Sequence, residues 1–258
     1  MIHIKNLRAG YPDKIIFKNL DLSFSPKEFV SIIGPNGSGK STLLKLITGF
    51  LPKEKGEIEI SGKRVEKWEA QELARLITYI PQENFIQYNF TVEEIILMGR
   101  YPFITIWQDY SMSDKAIVEQ IINELGLHEL RHKYINQLSG GEKQRTLIGR
   151  AIAQDTQYIL LDETFSNLDI NHQIETLNIL KTLHREKGKS IIMVSHNINL
   201  SANYSQRLIA IKEGEVVADG TPLEVITTDN LYKLFNIKLG VVTNPITLQP
   251  NIIYPWRT

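Results

Sequence analysis

Residues 34–42, Gly34-Pro35-Asn36-Gly37-Ser38-Gly39-Lys40-Ser41-Thr42, place three glycines, a lysine and several hydroxyls in one short loop. Glycines let a backbone curl until successive N–H groups point inward at one anion, and a helix that starts where the loop ends adds its positive pole. The chemistry is nucleotide phosphate binding: Lys40 is placed to reach the β- and γ-phosphates and the Ser41 hydroxyl to ligate Mg²⁺. Such a loop needs an acid at the end of a neighbouring strand. Tyr158-Ile159-Leu160-Leu161-Asp162-Glu163 is an apolar run ending in two acids. Asp162 is the candidate to hold Mg²⁺ through water, and Glu163 the candidate general base for an attacking water.

A second glycine pair stands in Leu138-Ser139-Gly140-Gly141-Glu142-Lys143-Gln144-Arg145. Ser139 ahead of two glycines makes another helix N-terminus with exposed N–H groups, hence a second anion site. One γ-phosphate does not need two complete cradles from one chain. Two chains facing head-to-tail, each covering the other's nucleotide, resolve this.

These loops must be held by strands and helices. Phe29 to Ile33 is a short, nearly continuous apolar run, as expected of a strand covered on both faces. Leu43, Leu44, Leu46 and Ile47 follow at helical spacing, ended by Gly49. Leu76 to Ile80, Tyr158 to Leu161 and Ser190 to Val194 are further apolar runs with helical patterns between them, the alternation of an α/β protein with a parallel sheet. The first thirty residues alternate as strands, as in Ile2, Ile4, Leu20, Leu22 and Phe24, with a turn at Tyr11 to Lys14. Residues 86–139 read as helices only. Thr91 and Glu94 form a capping box, and a second helix through Ile117, Val118, Ile121, Ile122 and Leu125 stops at Gly126. Arg207 to Gly220 reads as a hairpin turning at Glu213-Gly214, Thr221-Pro222 opens another helix, and residues 238–258 read as a tail.

Composition excludes several classes. Lys plus Arg equals Asp plus Glu at 29 each, whereas a protein living on nucleic-acid phosphates is normally strongly basic; no nucleic-acid partner is expected. The chain has no cysteine, so no disulfide framework, thiolate metal site or cysteine nucleophile is available. No apolar run approaches the roughly 20 residues of a membrane helix, and the N-terminus lacks a signal-peptide layout. A cytoplasmic protein is expected.

Leu138 to Gln144 resembles the signature of the ATP-binding-cassette ATPases, and Asp162 and Glu163 match that family's Walker B acid and catalytic glutamate. The resemblance runs from residue 1 to about 237. It implies one domain, a P-loop NTPase core with an N-terminal antiparallel β subdomain and an all-helical insertion. It also implies ATP and Mg²⁺ as ligands, and a head-to-tail homodimer with two ATP at its interface. Further positions match one at a time. Gln82 matches the glutamine that touches Mg²⁺ and the attacking water, and His196 the histidine that contacts the γ-phosphate. Tyr11 matches the aromatic that stacks on adenine, and Asp169 the acid at the dimer seam. Ser139, Gly140, Gly141 and Glu142 would meet the partner's nucleotide. Gln82, Asp162 and His196 all fall just beyond C-terminal ends of apolar strands, where ligands bind in open α/β sheets. His3, His128, His132, His172 and His184 have no such company and read as surface or packing residues. The family usually continues Glu163 with Pro-Thr, and here Thr164-Phe165 follows; the usual Asp after the histidine is Asn197.

The insert from Thr91 to Pro102, with Ala153-Gln154-Asp155 and Leu168 to Gln173, resembles importers of iron–siderophore, haem and cobalamin chelates. That branch implies separate integral-membrane permease subunits, a substrate-binding protein acting indirectly, and a peripheral position on the cytoplasmic face of the membrane. An exporter or an importer of other small solutes remains an alternative. DNA-repair and translation cassettes would need a coiled-coil or second cassette that is absent, and a phosphate-loop kinase or GTPase leaves Leu138 to Gln144 without a purpose. Phe85, Tyr88 and Phe90 would meet the permease or else fill the insert's core. Lys40→Ala is expected to cut ATP affinity and abolish hydrolysis with the fold intact, removing contacts worth roughly 1.5–3 kcal/mol each; equilibrium nucleotide binding and a phosphate-release assay check it, and normal hydrolysis would refute the phosphate-loop assignment.

Overall fold

The strand Phe29–Ile33 is buried at all five positions, as a continuous apolar run demands, and its neighbours explain why. Ser190–Val194 lies parallel on one side, with Phe29 opposite Ile191, and Arg207–Lys212 lies parallel on the other. In this computed structural model, residues 1–82, 89–105, 109–164 and 169–254 are described. The chain divides into two compact units, one built from residues 1–68 and 190–258, the other from 69–189.

In the first unit, Ile2–Tyr11 pairs antiparallel with Lys14–Phe24 through the tight turn expected at Tyr11 to Lys14, and with Lys55–Ile60 on its other edge. The inward set Ile2, Ile4, Leu7 and Ala9 is buried. Arg207–Lys212 and Glu215–Gly220 form the expected hairpin. Its turn residues Glu213 and Gly214 both have positive φ, 52° and 79°, the geometry that matches the twist of the flanking strands.

Residues 238–258, expected as a tail, contain two further strands. Gly240–Thr243 and Pro250–Ile253 pair antiparallel. Leu239 and Ile252 join a core with Ile33, Leu208, Val225, Leu231 and Leu234. Asn199 holds this hairpin by both ends of its amide: Oδ1 accepts from the Ile252 N–H at 2.7 Å and Nδ2 donates to the Ile252 carbonyl.

In the second unit, Ile77–Ile80 and Tyr158–Asp162 pair in parallel. Between them the regular elements among the described residues are helices, as expected, apart from a single bridge between Thr91 and Tyr134. The capping box at Thr91 and Glu94 forms, and the helix Met112–Glu124 ends just before Gly126 at φ 62°. Val92, Ile95, Ile96, Val118, Ile121 and Ile122 make the core of this insert. That core reaches Leu147 and Ala153 of the helix Gly140–Gln154. Phe90 packs partly buried against it, which is the core-filling role; Phe85 and Tyr88 lie outside the described residues. Arg131 pairs with Glu93 and Glu119, tying two helices together.

Arg100 donates to Asp114 Oδ1 at 2.8 Å and to the Ala153 carbonyl at 2.8 Å, and its guanidinium lies 4.1 Å from the Phe103 ring centroid. Both side chains of the pair are only 12% exposed. The Ser111 hydroxyl, then the Arg100 guanidinium, hold the Asp114 carboxyl below its ordinary range against the opposing effect of burial. Asp114→Ala would strand a buried cation and remove the carboxylate half of the capping box that starts Met112–Glu124, a loss of about 3–5 kcal/mol. Because the folded-state pKa is depressed, the wild-type advantage is fully present above the ordinary carboxylate value and is lost progressively as pH falls from there through the lower folded-state value. Urea unfolding of both proteins at neutral and acid pH checks this; an equal gap at both would refute it.

Candidate functional site

The phosphate loop leaves the buried strand Phe29–Ile33 and enters the helix Lys40–Ile47. Gly34 has φ 149°, and a Cβ there would lie 2.0 Å from the Ile211 carbonyl oxygen, so the close approach of two backbones admits no side chain. The Gly214 N–H donates to the Ser38 carbonyl at 3.0 Å, so the turn of the neighbouring hairpin braces the loop. The Lys40 ammonium curls back over the loop and donates to the carbonyls of Gly34 at 3.0 Å and Pro35 at 2.9 Å. Pro35, Asn36 and Gly37 form the outer rim, and Asn36 and Gly37 are exposed. The Ser38 hydroxyl is buried with no hydrogen-bond partner among the described residues, and a phosphate oxygen is an acceptor that would suit it.

The helix that follows is left electrically open. Its N-cap Gly39 offers no side-chain cap and its first turn carries no acid, so no carboxylate offsets the positive pole of Lys40–Ile47. Ser41 and Thr42 lie in that first turn. The helix Gly140–Gln154 is built differently. Ser139 and Glu142 form a capping box, with the Ser139 N–H donating to Glu142 Oε2 at 2.7 Å. That bond is the largest cause holding the Glu142 carboxyl below its ordinary range. The first terminus is therefore the stronger anion site, and the second offers the N–H groups of Gly140 and Gly141 beside a fixed carboxylate.

Parallel register delivers the remaining side chains. In the first unit Ile32 lies opposite Val194, and the Ser195 N–H donates to the Ile32 carbonyl at 3.1 Å. His196, exposed, thus leaves the same sheet edge as Gly34. Asn197 caps the helix Ile198–Tyr204 by accepting from the Leu200 N–H, which Asn does as well as the Asp usual in the resembled family. Tyr11, 41% exposed, sits at the end of its strand.

In the second unit Ile80 lies opposite Leu161, which sets Gln82 opposite Glu163. The Gln82 amide donates to Glu163 Oε2 at 2.7 Å. Tyr79 donates its hydroxyl to Asp162 Oδ2 at 2.9 Å, and Asp162 is 2% exposed. Glu163 has φ 49°, a left-handed conformation that costs a non-glycine residue about 1–3 kcal/mol and collects at functional positions. Among the described residues no group of three or more His, Asp or Glu side chains forms a metal cage. A single buried carboxylate suits Mg²⁺ that takes its other ligands from phosphate and water.

Asp169 caps the helix Ile170–Lys187 through the His172 N–H. Phe165 to Leu168, just before it, lie outside the described residues. His172, expected on the surface or in packing, bonds Asp169 and lies against Gly141. Its position three residues after Asp169, on the same helix face, was the available signal.

A phosphate cradle on an uncapped helix in the first unit and, in the second, a strained acid held by an amide are each parts that an ATPase needs, and comparison with known proteins agrees. A family model described as ABC transporter matches residues 17–166, more than half of the chain, and the chain belongs to that family as an ATPase. The iron(3+)-hydroxamate import ATP-binding protein FhuC of Bacillus subtilis (strain 168) is 36% identical over 246 residues, covering 95% of this chain and 91% of its own length. A solved chain from a transporter assigned to the metal-chelate type, in an inward-facing conformation, aligns with TM-score 0.85 at 25% identity over 99% of this chain and 97% of that one. A dimeric ATP-binding cassette in a post-hydrolysis state with ADP and Pi aligns with TM-score 0.74 at 30% identity over 86% and 98%.

Gly34→Ala is expected to push the loop away from Ile211 and lose nucleotide binding by more than tenfold, as overpacking of a close backbone contact costs about 1–3 kcal/mol or more. Calorimetric titration with ATP checks this, and unchanged affinity would show that the loop tolerates a Cβ.

Proposed function

We propose that the chain is the ATP-hydrolysing subunit of an importer for a ferric siderophore or a related metal chelate. The match to a hydroxamate importer's ATP-binding protein along 95% of the chain carries this reading. Among the described residues no helix is long and apolar enough to cross a membrane. As an import ATP-binding protein like its relative, the chain acts through separate integral-membrane permease subunits, on the cytoplasmic face. A substrate-binding protein delivers the chelate to the permease and touches this subunit only indirectly. Two copies meet head-to-tail with two ATP between them.

In each site Tyr11 stacks on adenine, the loop from Gly34 to Thr42 takes the phosphates, and Lys40 exchanges its carbonyl partners for β- and γ-phosphate oxygens. Ser41, Asp162 and Gln82 would hold Mg²⁺, which supplies charge neutralisation on the phosphates when bound. The partner's Ser139 to Glu142 segment closes over the γ-phosphate, with Asp169 at the seam. The Gln82 amide holds the Glu163 carboxylate turned toward the strand ends. There Glu163 takes the proton of the water that attacks the γ-phosphorus, and His196 contacts the γ-phosphate as the bond to ADP breaks.

Glu163→Gln keeps size and hydrogen bonding and removes the base, so turnover should fall ~10²–10⁴-fold while an ATP-bound dimer accumulates. Size exclusion with saturating ATP and Mg²⁺ reads the dimer, and a monomer there would sink the head-to-tail arrangement. Cells relying on this variant should lose uptake of iron-labelled hydroxamate chelate; undiminished uptake would sink the transport assignment.

A further inference from the structure

We infer that His172 is a positioning residue that joins the Asp169 segment to the first turn of Gly140–Gln154, so that the two elements facing the partner's nucleotide move as one piece; this rests on the head-to-tail arrangement proposed above. The imidazole is held on both edges. Its Nδ1 lies 2.8 Å from Asp169 Oδ2, and the His172 backbone N–H donates to Asp169 Oδ1 at 3.0 Å. The other edge lies against Gly141: a Cβ built there would come 2.1 Å from Cδ2 and 2.3 Å from Nε2. Gly141 is buried, and only a residue without a side chain leaves room for the ring.

The contact is braced along both helices. Arg145 Nη1, one turn beyond Gly141, donates to Glu175 Oε2 at 3.3 Å, one turn beyond His172. Thr176 donates its hydroxyl to the His172 carbonyl at 2.9 Å, fixing the backbone from which the ring projects. Asp169 therefore cannot shift without dragging the ring, and the ring cannot shift without releasing Gly141. His172 is not part of the phosphate loop. Its loss should spare nucleotide capture by a single chain and weaken the step that needs two, because the N–H groups of Gly140 and Gly141 would no longer be held in place relative to Asp169.

The test compares Glu163→Gln with the double variant Glu163→Gln/His172→Ala. The ATP concentration for half-maximal dimer, read by light scattering, should rise about tenfold, a usual size for coupling between sites. Binding of a fluorescent ATP analogue to dilute monomer should stay the same. His172→Asn, which keeps a donor near Asp169, and His172→Phe, which keeps the ring against Gly141, should each recover part of the loss. An identical half-point with and without His172→Ala overturns the inference, as does parallel loss of monomer binding and melting temperature, the mark of a merely structural role. Hydrogen exchange on the monomer decides independently. His172→Ala should speed exchange of the peptide spanning residues 139–145, the behaviour of a released local unit, and unchanged exchange overturns the coupling. Failure of Glu163→Gln itself to dimerise would count against the head-to-tail arrangement alone, with exchange still deciding on His172.

Discussion

The Ser195 amide donating to the Ile32 carbonyl and the pairing of Ile80 with Leu161 express one constraint: parallel strands held in register. Side chains alternate faces along a strand, so a one-residue slip would turn every functional group to the other side. Register in the first unit sets His196 at the edge where the phosphate loop begins, and register in the second sets Gln82 opposite Glu163. Neither pair is made by local sequence. Each arises because two apolar strands, distant in the chain, are buried together and leave the sheet at the same end.

Helix termini then assign distinct electrostatic roles. Thr91, Ser111 and Ser139 close capping boxes with acids three residues on, neutralising the poles of helices that serve architecture or a weaker anion contact. Gly39 alone of these starts its helix without a cap or an acid. Local chemistry that would elsewhere be a defect leaves the positive pole of that helix open to an anion. The left-handed Glu163 is a comparable departure, tolerated because flanking strand and amide partner over-determine it.

Legibility in the sequence followed the range of the signal. The phosphate loop, the capping box at Thr91, the hairpin at Glu213-Gly214 and the helix stop at Gly126 are written in residues close together, and the structure has them there. The strands at 240–243 and 250–253 were missed because their stability comes from distant partners, Asn199 and the core around Leu231, and their own sequence is broken by Pro245 and Pro250. Three scattered prolines look like a tail when the anchoring residues lie fifty positions away. The spacing of His172 from Asp169 is legible in the sequence, and its packing against Gly141 is not. That second contact exists only once the fold brings Gly141 to the far edge of the ring. The Arg100–Asp114 pair was invisible because its third member is a backbone carbonyl.

The first unit is assembled from both ends of the chain, with the second unit lying between as the continuous stretch 69–189. On a growing polypeptide the later-starting unit can therefore finish earlier, since all its contacts are available once its last helix has emerged. Phe29–Ile33 must wait for Ser190–Val194 and Arg207–Lys212, and contacts of such wide sequence separation form slowly. For that interval an apolar strand with two open edges is available to other nascent chains, the kind of exposure chaperones exist to cover. Gly214 arrives later still, and its bond to Ser38 is among the last braces the phosphate loop receives. A ribosome-bound chain thus has no finished phosphate cradle until most of its length has been synthesised.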